Sequence, residues 1–257
     1  MSRLVPSTVL ITGASGGIGG ALAEAYAAPG VTLVLHGRDE ARLVSVAARC
    51  TARGAVVRTH SLDLRDRPAL QAWIGETAAA LPIDLAFVNA GVNIRVDPAL
   101  GAEHWAEVEN LIEINVLAAF ATTHALLPSM LARQRGQIAL ISSLAGYYGL
   151  PIAPSYSASK AALKAYGEAM RGLHADAGVG VTVVMPGFVD TPMERAFPGP
   201  KLFVWSAERA ARVIQHRLAY NPARISFPFP LDFGAWITAV LPAAISQRVI
   251  ALIGYGR

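Results

Sequence analysis

One cysteine, Cys50, occurs in 257 residues. An intramolecular disulfide is therefore excluded, and the usage suits a reducing compartment. Histidine is also sparse. The six are scattered without ligand-like spacing, so no metal site is expected, and His60, His104 and His124 read as surface or packing residues. Lysine and arginine number 22 against 18 acids, a net charge of +4, and the basic residues form no cluster. That argues against nucleic-acid binding. Neither a linker-like shift in composition nor an internal repeat is visible, so one domain over residues 1–257 is expected. A strand-like run begins by Thr8, which leaves no room for a cleavable signal, and a cytoplasmic protein is the expectation.

What the chain has in quantity is apolar sequence. Hydrophobic residues make up 53%, which suits a sheet buried on both faces by helices. Ile114 to Ala132 lacks Asp, Glu, Lys and Arg and has nearly the length of a membrane span, yet it holds Asn115, Thr122, Thr123, His124 and Pro128. Gln137 to Ser159 also lacks those charges but includes a Gly/Pro-rich stretch. Neither is read as transmembrane. Strand-like runs sit near 8–12, 31–36, 55–60, 83–88, 137–142, 180–185 and 224–228, and helical patterns fill 18–28, 39–53, 66–80, 103–132, 155–177 and 206–219. Such alternation predicts an α/β fold: a Rossmann-type, doubly wound parallel sheet of about seven strands with helices on both faces. A ligand then belongs at the carboxyl ends of the strands.

Two groups of residues carry chemistry. Tyr156 and Lys160 are four apart in a helical pattern, which puts them on one face, and Ser143 lies thirteen positions before the tyrosine. A phenol ordinarily titrates near 10, so acid-base work at neutral pH asks for a shift of roughly three units, about 4 kcal/mol. A neighbouring ammonium favours the phenolate. At the other end, Thr8-Val9-Leu10-Ile11 runs into Thr12-Gly13-Ala14-Ser15-Gly16-Gly17-Ile18-Gly19-Gly20 and then an alanine-rich helix. A strand, a glycine turn and a helix start present backbone N–H groups and a positive helix end to a pyrophosphate.

Together these segments resemble the short-chain dehydrogenase/reductase superfamily, over roughly residues 7 to 230. The family's Thr-Gly-x3-Gly-x-Gly loop matches Thr12 to Gly19, its adenine-contacting Asp-hydrophobic pair matches Asp63-Leu64, and Asn-Ala-Gly matches Asn89-Ala90-Gly91. The mid-helix asparagine matches Asn115, the serine Ser143, and the Pro-Gly turn with its later threonine Pro186-Gly187 and Thr191. The resemblance implies that Tyr156 is the acid or base at the substrate oxygen and that Lys160 lowers its pKa and holds the nicotinamide ribose. It implies further that Ser143 binds the substrate oxygen and that Asn115 holds a relay water, with hydride moving to or from nicotinamide C4. Cofactor contacts are implied at Gly13, Ser15, Gly17, Ile18, Gly19, Arg38, Asp63, Leu64, Asn89, Gly91, Tyr156, Lys160, Pro186, Gly187, Val189 and Thr191.

NAD-specific members usually carry an acid at the end of the second strand; here Gly37 takes that position and Arg38 follows it. A glycine leaves room and an arginine fork matches a 2′-phosphate, so NADP(H) is preferred over NAD(H), although Gly16 stands where many NADP-preferring relatives have a basic residue. Asp39 reads as the cap of the next helix. The substrate is expected to be a small carbonyl or alcohol, apolar if the loop Leu144–Pro151 and a lid over Thr191–Ser206 line its site, through Met193, Phe197, Leu202, Phe203, Val204 and Trp205. Residues 231–257 depart from the family as an apolar C-terminal extension, expected to form helices over the core, the substrate mouth or a subunit interface of a homo-oligomer. Attachment to a membrane surface is the second use open to such a tail. The chain as a whole also admits an NAD(H)-dependent dehydrogenase of the same family, or a catalytically silent NADP-binding sensor.

Overall fold

The computed structural model describes residues 5–195 and 201–255. In chain order the elements are β1 (Thr8–Ile11), α1 (Gly17–Tyr26), β2 (Thr32–His36), α2 (Glu40–Ala52), β3 (Val56–His60), α3 (Arg67–Ala80), β4 (Leu85–Val88) and α4 (Trp105–Ile112). A π-helical turn, Glu113–Leu117, joins α4 to α5 (Ala118–Ala132). Then follow β5 (Gly136–Ile141), α6 (Pro154–Leu173), β6 (Val179–Pro186), β7 (Val189–Asp190), α7 (Pro192–Arg195), β8 (Trp205–Ser206), α8 (Ala207–Leu218), β9 (Arg224–Phe227), α9 (Leu231–Val240) and α10 (Ala243–Ile250).

Seven strands form one sheet in the order β3-β2-β1-β4-β5-β6-β9, and every neighbouring pair is parallel. Residue alternation explains why both faces are covered. Val9 and Ile11 of β1, Leu85 and Phe87 of β4, and Ala139 and Ile141 of β5 enter one hydrophobic cluster. Leu10, Ala86, Val88, Ile138 and Leu140, the residues between, enter another. A period of two with no polar face means a layer of helices on each side. The first cluster is closed by α1, α2 and α8, the second by α3 and α5. This is a single Rossmann-type α/β domain.

The helical run Trp105–Ala132 is the one described segment long and apolar enough to cross a membrane, and 56% of its most apolar window is buried inside the molecule. A short parallel ladder of β7 and β8, which ties Val189 to Trp205, has no counterpart in the sequence pattern. The tail folds as α9, α10 and a closing turn, Ala251–Tyr255. Ser246 Oγ donates to Thr238 O at 2.8 Å and binds α10 to α9, while Ile250 and Tyr255 pack with Ala153 at the start of α6.

Candidate active site

At the carboxyl end of β1 the chain must reverse beneath the loop after β4. Gly13 and Gly17 take φ of +69° and +54°, a region that favours glycine. A side chain at Gly13 would put its Cβ 2.8 Å from the Ala90 Cα. A Cβ at Gly19 would run into the Gly13 carbonyl and the Asn89 amide. Gly19 therefore seats α1 under the loop and is not among the residues lining the cavity. Asn89 Nδ2 donates to the carbonyls of Thr12 and Gly13 at 3.0 and 3.1 Å, locking the two loops together. α1 starts without a side-chain cap, and Gly16, Gly17 and Ile18 border the cavity, so its first N–H groups are left for a ligand.

The second half of the site hangs on α6. A Cβ on Gly167 would lie 2.6 Å from Val183 Cγ2 and 2.8 Å from Leu140 Cδ1, so glycine lets α6 lie close on β5 and β6. Ser142 Oγ donates to Lys160 O at 2.7 Å, fixing the helix height over the end of β5. Lys160 Nζ then donates to Ile141 O at 3.0 Å and stands 5.6 Å from the centre of the Tyr156 ring. Ser143 hydrogen-bonds the Tyr156 phenol, and its Oγ accepts the Ala145 N–H at 3.1 Å. Asn115 sits in the π-helical turn, a distortion that aims one side chain out of the regular helix register. Fully buried, it accepts from Val92 N at 2.8 Å and donates to Val92 O at 2.9 Å and Ser159 Oγ at 3.1 Å. Asn115 thus lies behind the cavity wall, not on it.

Burial pushes the Tyr156 phenol up to about 12, against the pull of the Ser143 hydrogen bond. The Lys160 ammonium, turned to the Ile141 carbonyl, stands on the same helix face as this phenol. Burial likewise lowers Lys160 to about 8. Glu194 is raised to about 7 by burial, with Lys201 opposing.

A cavity of 720 Å³ connects the glycine loop to the tail. Gly13, Ser15, Gly17, Ile18, Arg38, Asp63, Leu64, Asn89, Gly91, Ser143, Tyr156, Lys160, Pro186, Gly187, Val189 and Thr191 all line it. Asp63 does so while gripped by Arg65, whose hydrogen bonds hold the carboxyl at about 2. Asp39 caps α2 by accepting from Arg42 N at 3.0 Å and pairs with the Arg42 guanidinium. Of the expected lid residues, Met193, Leu202 and Phe203 reach the cavity. Val204 and Trp205 do not; Trp205 stacks on Phe227 with ring centres 4.9 Å apart. Phe197 lies outside the described residues.

The description "short chain dehydrogenase" belongs to the family model that matches residues 7–200. The chain belongs to the short-chain dehydrogenase family. It is 34% identical over 247 residues to an uncharacterized oxidoreductase of Myxococcus xanthus, covering 94% of this chain and 95% of that one. It is 36% identical over 190 residues to the ketoacyl reductase HetN of Nostoc, covering 74% and 66%. A short-chain dehydrogenase from Sphingobium yanoikuyae, solved in complex with NADPH, superposes with a TM-score of 0.77 at 27% identity, covering 95% of each chain. This short-chain dehydrogenase is therefore an NAD(P)-dependent oxidoreductase. A nicotinamide dinucleotide fits the residues present: a glycine cradle that any Cβ would obstruct, an uncapped helix start, and a polar rim at Arg38 and Asp63.

Several lining residues carried no sequence signal. Arg42 and His36 border the dinucleotide end and Asn93 follows the Asn-Ala-Gly motif. The tail supplies Leu231, Gly234, Ala235, Thr238, Val249, Ile250, Ile253 and Tyr255 to the opposite end. Its apolar composition pointed to burial, but only packing reveals that it closes this cavity.

Proposed function

We propose that this short-chain dehydrogenase interconverts an apolar ketone or aldehyde and its alcohol with NADP(H). The observation that carries the reading is the meeting of Ser143, Tyr156 and Lys160, backed by Asn115, on the wall of a chamber to which Leu144, Leu150, Leu231, Ile250 and Ile253 also contribute. When bound, the cofactor supplies or accepts the hydride. Ser143 and Tyr156 hold the substrate oxygen. A phenol kept protonated by burial gives its proton to that oxygen as negative charge develops there. The Lys160 ammonium favours the phenolate left behind and holds the nicotinamide ribose, and Asn115 carries the relay to solvent through water.

For the dinucleotide, Gly37 and Arg38 support the phosphorylated form. A Cβ on Gly37 would meet the Ser15 side chain at 2.8 Å, and Arg38 is exposed at the cavity rim beside it. The similar Sphingobium enzyme holds NADPH. We read the protein as a cytoplasmic homo-oligomer, and light scattering after size exclusion tests its assembly. A panel of ketones and secondary alcohols followed by cofactor absorbance tests the activity. Tyr156→Phe should retain NADPH binding while turnover falls by about 10²–10⁴-fold. Near-normal turnover by that variant would defeat the mechanism.

A further inference from the structure

Among the described residues, five buried side-chain atoms lack a hydrogen-bond partner. Glu194 Oε1 and Asn93 Oδ1 are the two whose residues line the active-site cavity. A buried acceptor without a partner is costly and marks a place where a ligand donor is welcome. Asn93 stands one residue beyond Val92, whose backbone Asn115 clamps on both N–H and C=O.

Glu194 is the stronger of the two. It lies in α7, with its N–H donated to Thr191 Oγ1 at 3.2 Å and its carbonyl held by Lys201 Nζ at 2.6 Å. The backbone is pinned from both sides, and the half-buried residue lines the cavity. Its charge acts on the phenols of both Tyr156 and Tyr255, so the carboxyl shares the chamber with the group at the reacting oxygen. Leu202, Phe203, Leu231 and Ile253, which line the same cavity, offer a ligand no acceptor.

We propose that Glu194 is a specificity-determining residue that accepts a hydrogen bond from a hydroxyl next to the substrate's reacting carbonyl, selecting hydroxyketones over plain ketones on an apolar skeleton. This rests on the carbonyl chemistry proposed above. A hydroxyl is favoured over an ammonium because an amine would bring a second charge out of water, a larger loss than a neutral donor incurs. Above about pH 7, where Glu194 is ionised, its carboxylate makes the bond charge-assisted, stronger than one to a neutral acceptor.

The test compares 2-octanone, 1-hydroxy-2-octanone and 1-amino-2-octanone with NADPH, read as kcat/KM and independently as calorimetric Kd on the NADPH-bound protein. The wild type should prefer the hydroxyketone over the plain ketone by about ten- to a hundredfold. Glu194→Leu should bring that ratio close to one, and Glu194→Gln, whose amide oxygen still accepts, should retain part of it. A wild type without hydroxyl preference in both readouts overturns the proposal, as does a Leu variant that keeps it or a preference for the aminoketone. Tyr156→Phe separates the two readings: if it loses turnover but keeps the Kd preference, both stand. If it turns over normally while the preference persists, the acid-base assignment fails and the specificity assignment survives.

Discussion

At the glycine-loop end of the cavity, each position is held by backbone and by the exclusion of side chains. Gly13, Gly19 and Gly37 sit where a Cβ would strike a neighbour, and Asn89 and Thr12 stitch two loops with short hydrogen bonds. At the tail end the walls are α9, α10 and the closing turn, joined to the body mainly by apolar packing and a few bonds such as Tyr148 to the Ala243 carbonyl. That end also leaves large apolar side chains in the open: Phe229 is 78% exposed, Val240 61% and Leu252 87%. A rigid cradle suits a ligand of one shape. An adaptable apolar wall suits the part of the site where family members differ in substrate.

The sharpest way to break this contrast is one methyl group. Gly19→Ala would drive Cβ into the Gly13 carbonyl, so the loop must move. We expect NADPH affinity, measured by fluorescence titration, to fall by about five- to a hundredfold, in line with the roughly 1–3 kcal/mol of overpacking. Unchanged affinity would show the cradle to be as adaptable as the tail.

Truncation after Leu231 attacks the other side. It removes one wall of the substrate chamber and uncovers apolar surface, so aggregation or a changed oligomer should appear on size exclusion, with turnover lost. NADPH binding should survive in the soluble fraction. Loss of both together would mean that the two ends are not independent.

Lys160→Met probes the seam between them. The folded pKa lies below the unfolded value, so the folded state holds fewer protons between about 8 and 10.5. The burial cost is present in full below about 8 and is relieved as pH rises through that window. Removing the ammonium should therefore stabilise the fold at pH 7 by up to about 3 kcal/mol, a rise in Tm of several degrees, while abolishing turnover. A lowered Tm would show that the bond to Ile141 outweighs desolvation.

The smallest effect is at the rim. Arg38→Ala should cost about tenfold or more in NADPH affinity and leave NADH little changed, since a charge-assisted bond to phosphate contributes about 1.5–3 kcal/mol. Equal wild-type affinities for the two dinucleotides would refute the NADP reading without touching the catalytic one.

The contrast also explains what could be read from the chain. Strands and helices were legible because the sheet is buried on both faces, so β-branched runs and amphipathic stretches alternate cleanly from Thr8 to Phe227. Tyr156 and Lys160 were legible as a pair because one helix face brings them together. The glycine loop was legible because positive φ and close approach leave glycine as the residue that fits. Glu194 and Asn93 were not, since an acid in a single helical turn and an amide in a loop look alike whether they face water or a cavity.

The sequence by itself determined the parallel α/β sheet, a core that no disulfide can brace, and the local spacing of the Ser143, Tyr156 and Lys160 set, because those follow from composition, periodicity and steric limits within a few residues. Packing between distant segments set that Gly19 supports the cradle from beneath, that Asn115 sits in a π-helical turn behind the wall, and that the tail closes the chamber. Burial of the Tyr156 phenol, which raises its pKa, is likewise a tertiary outcome. Solvent exclusion and contacts between distant segments set these outcomes, and neither is encoded in any short window of the chain.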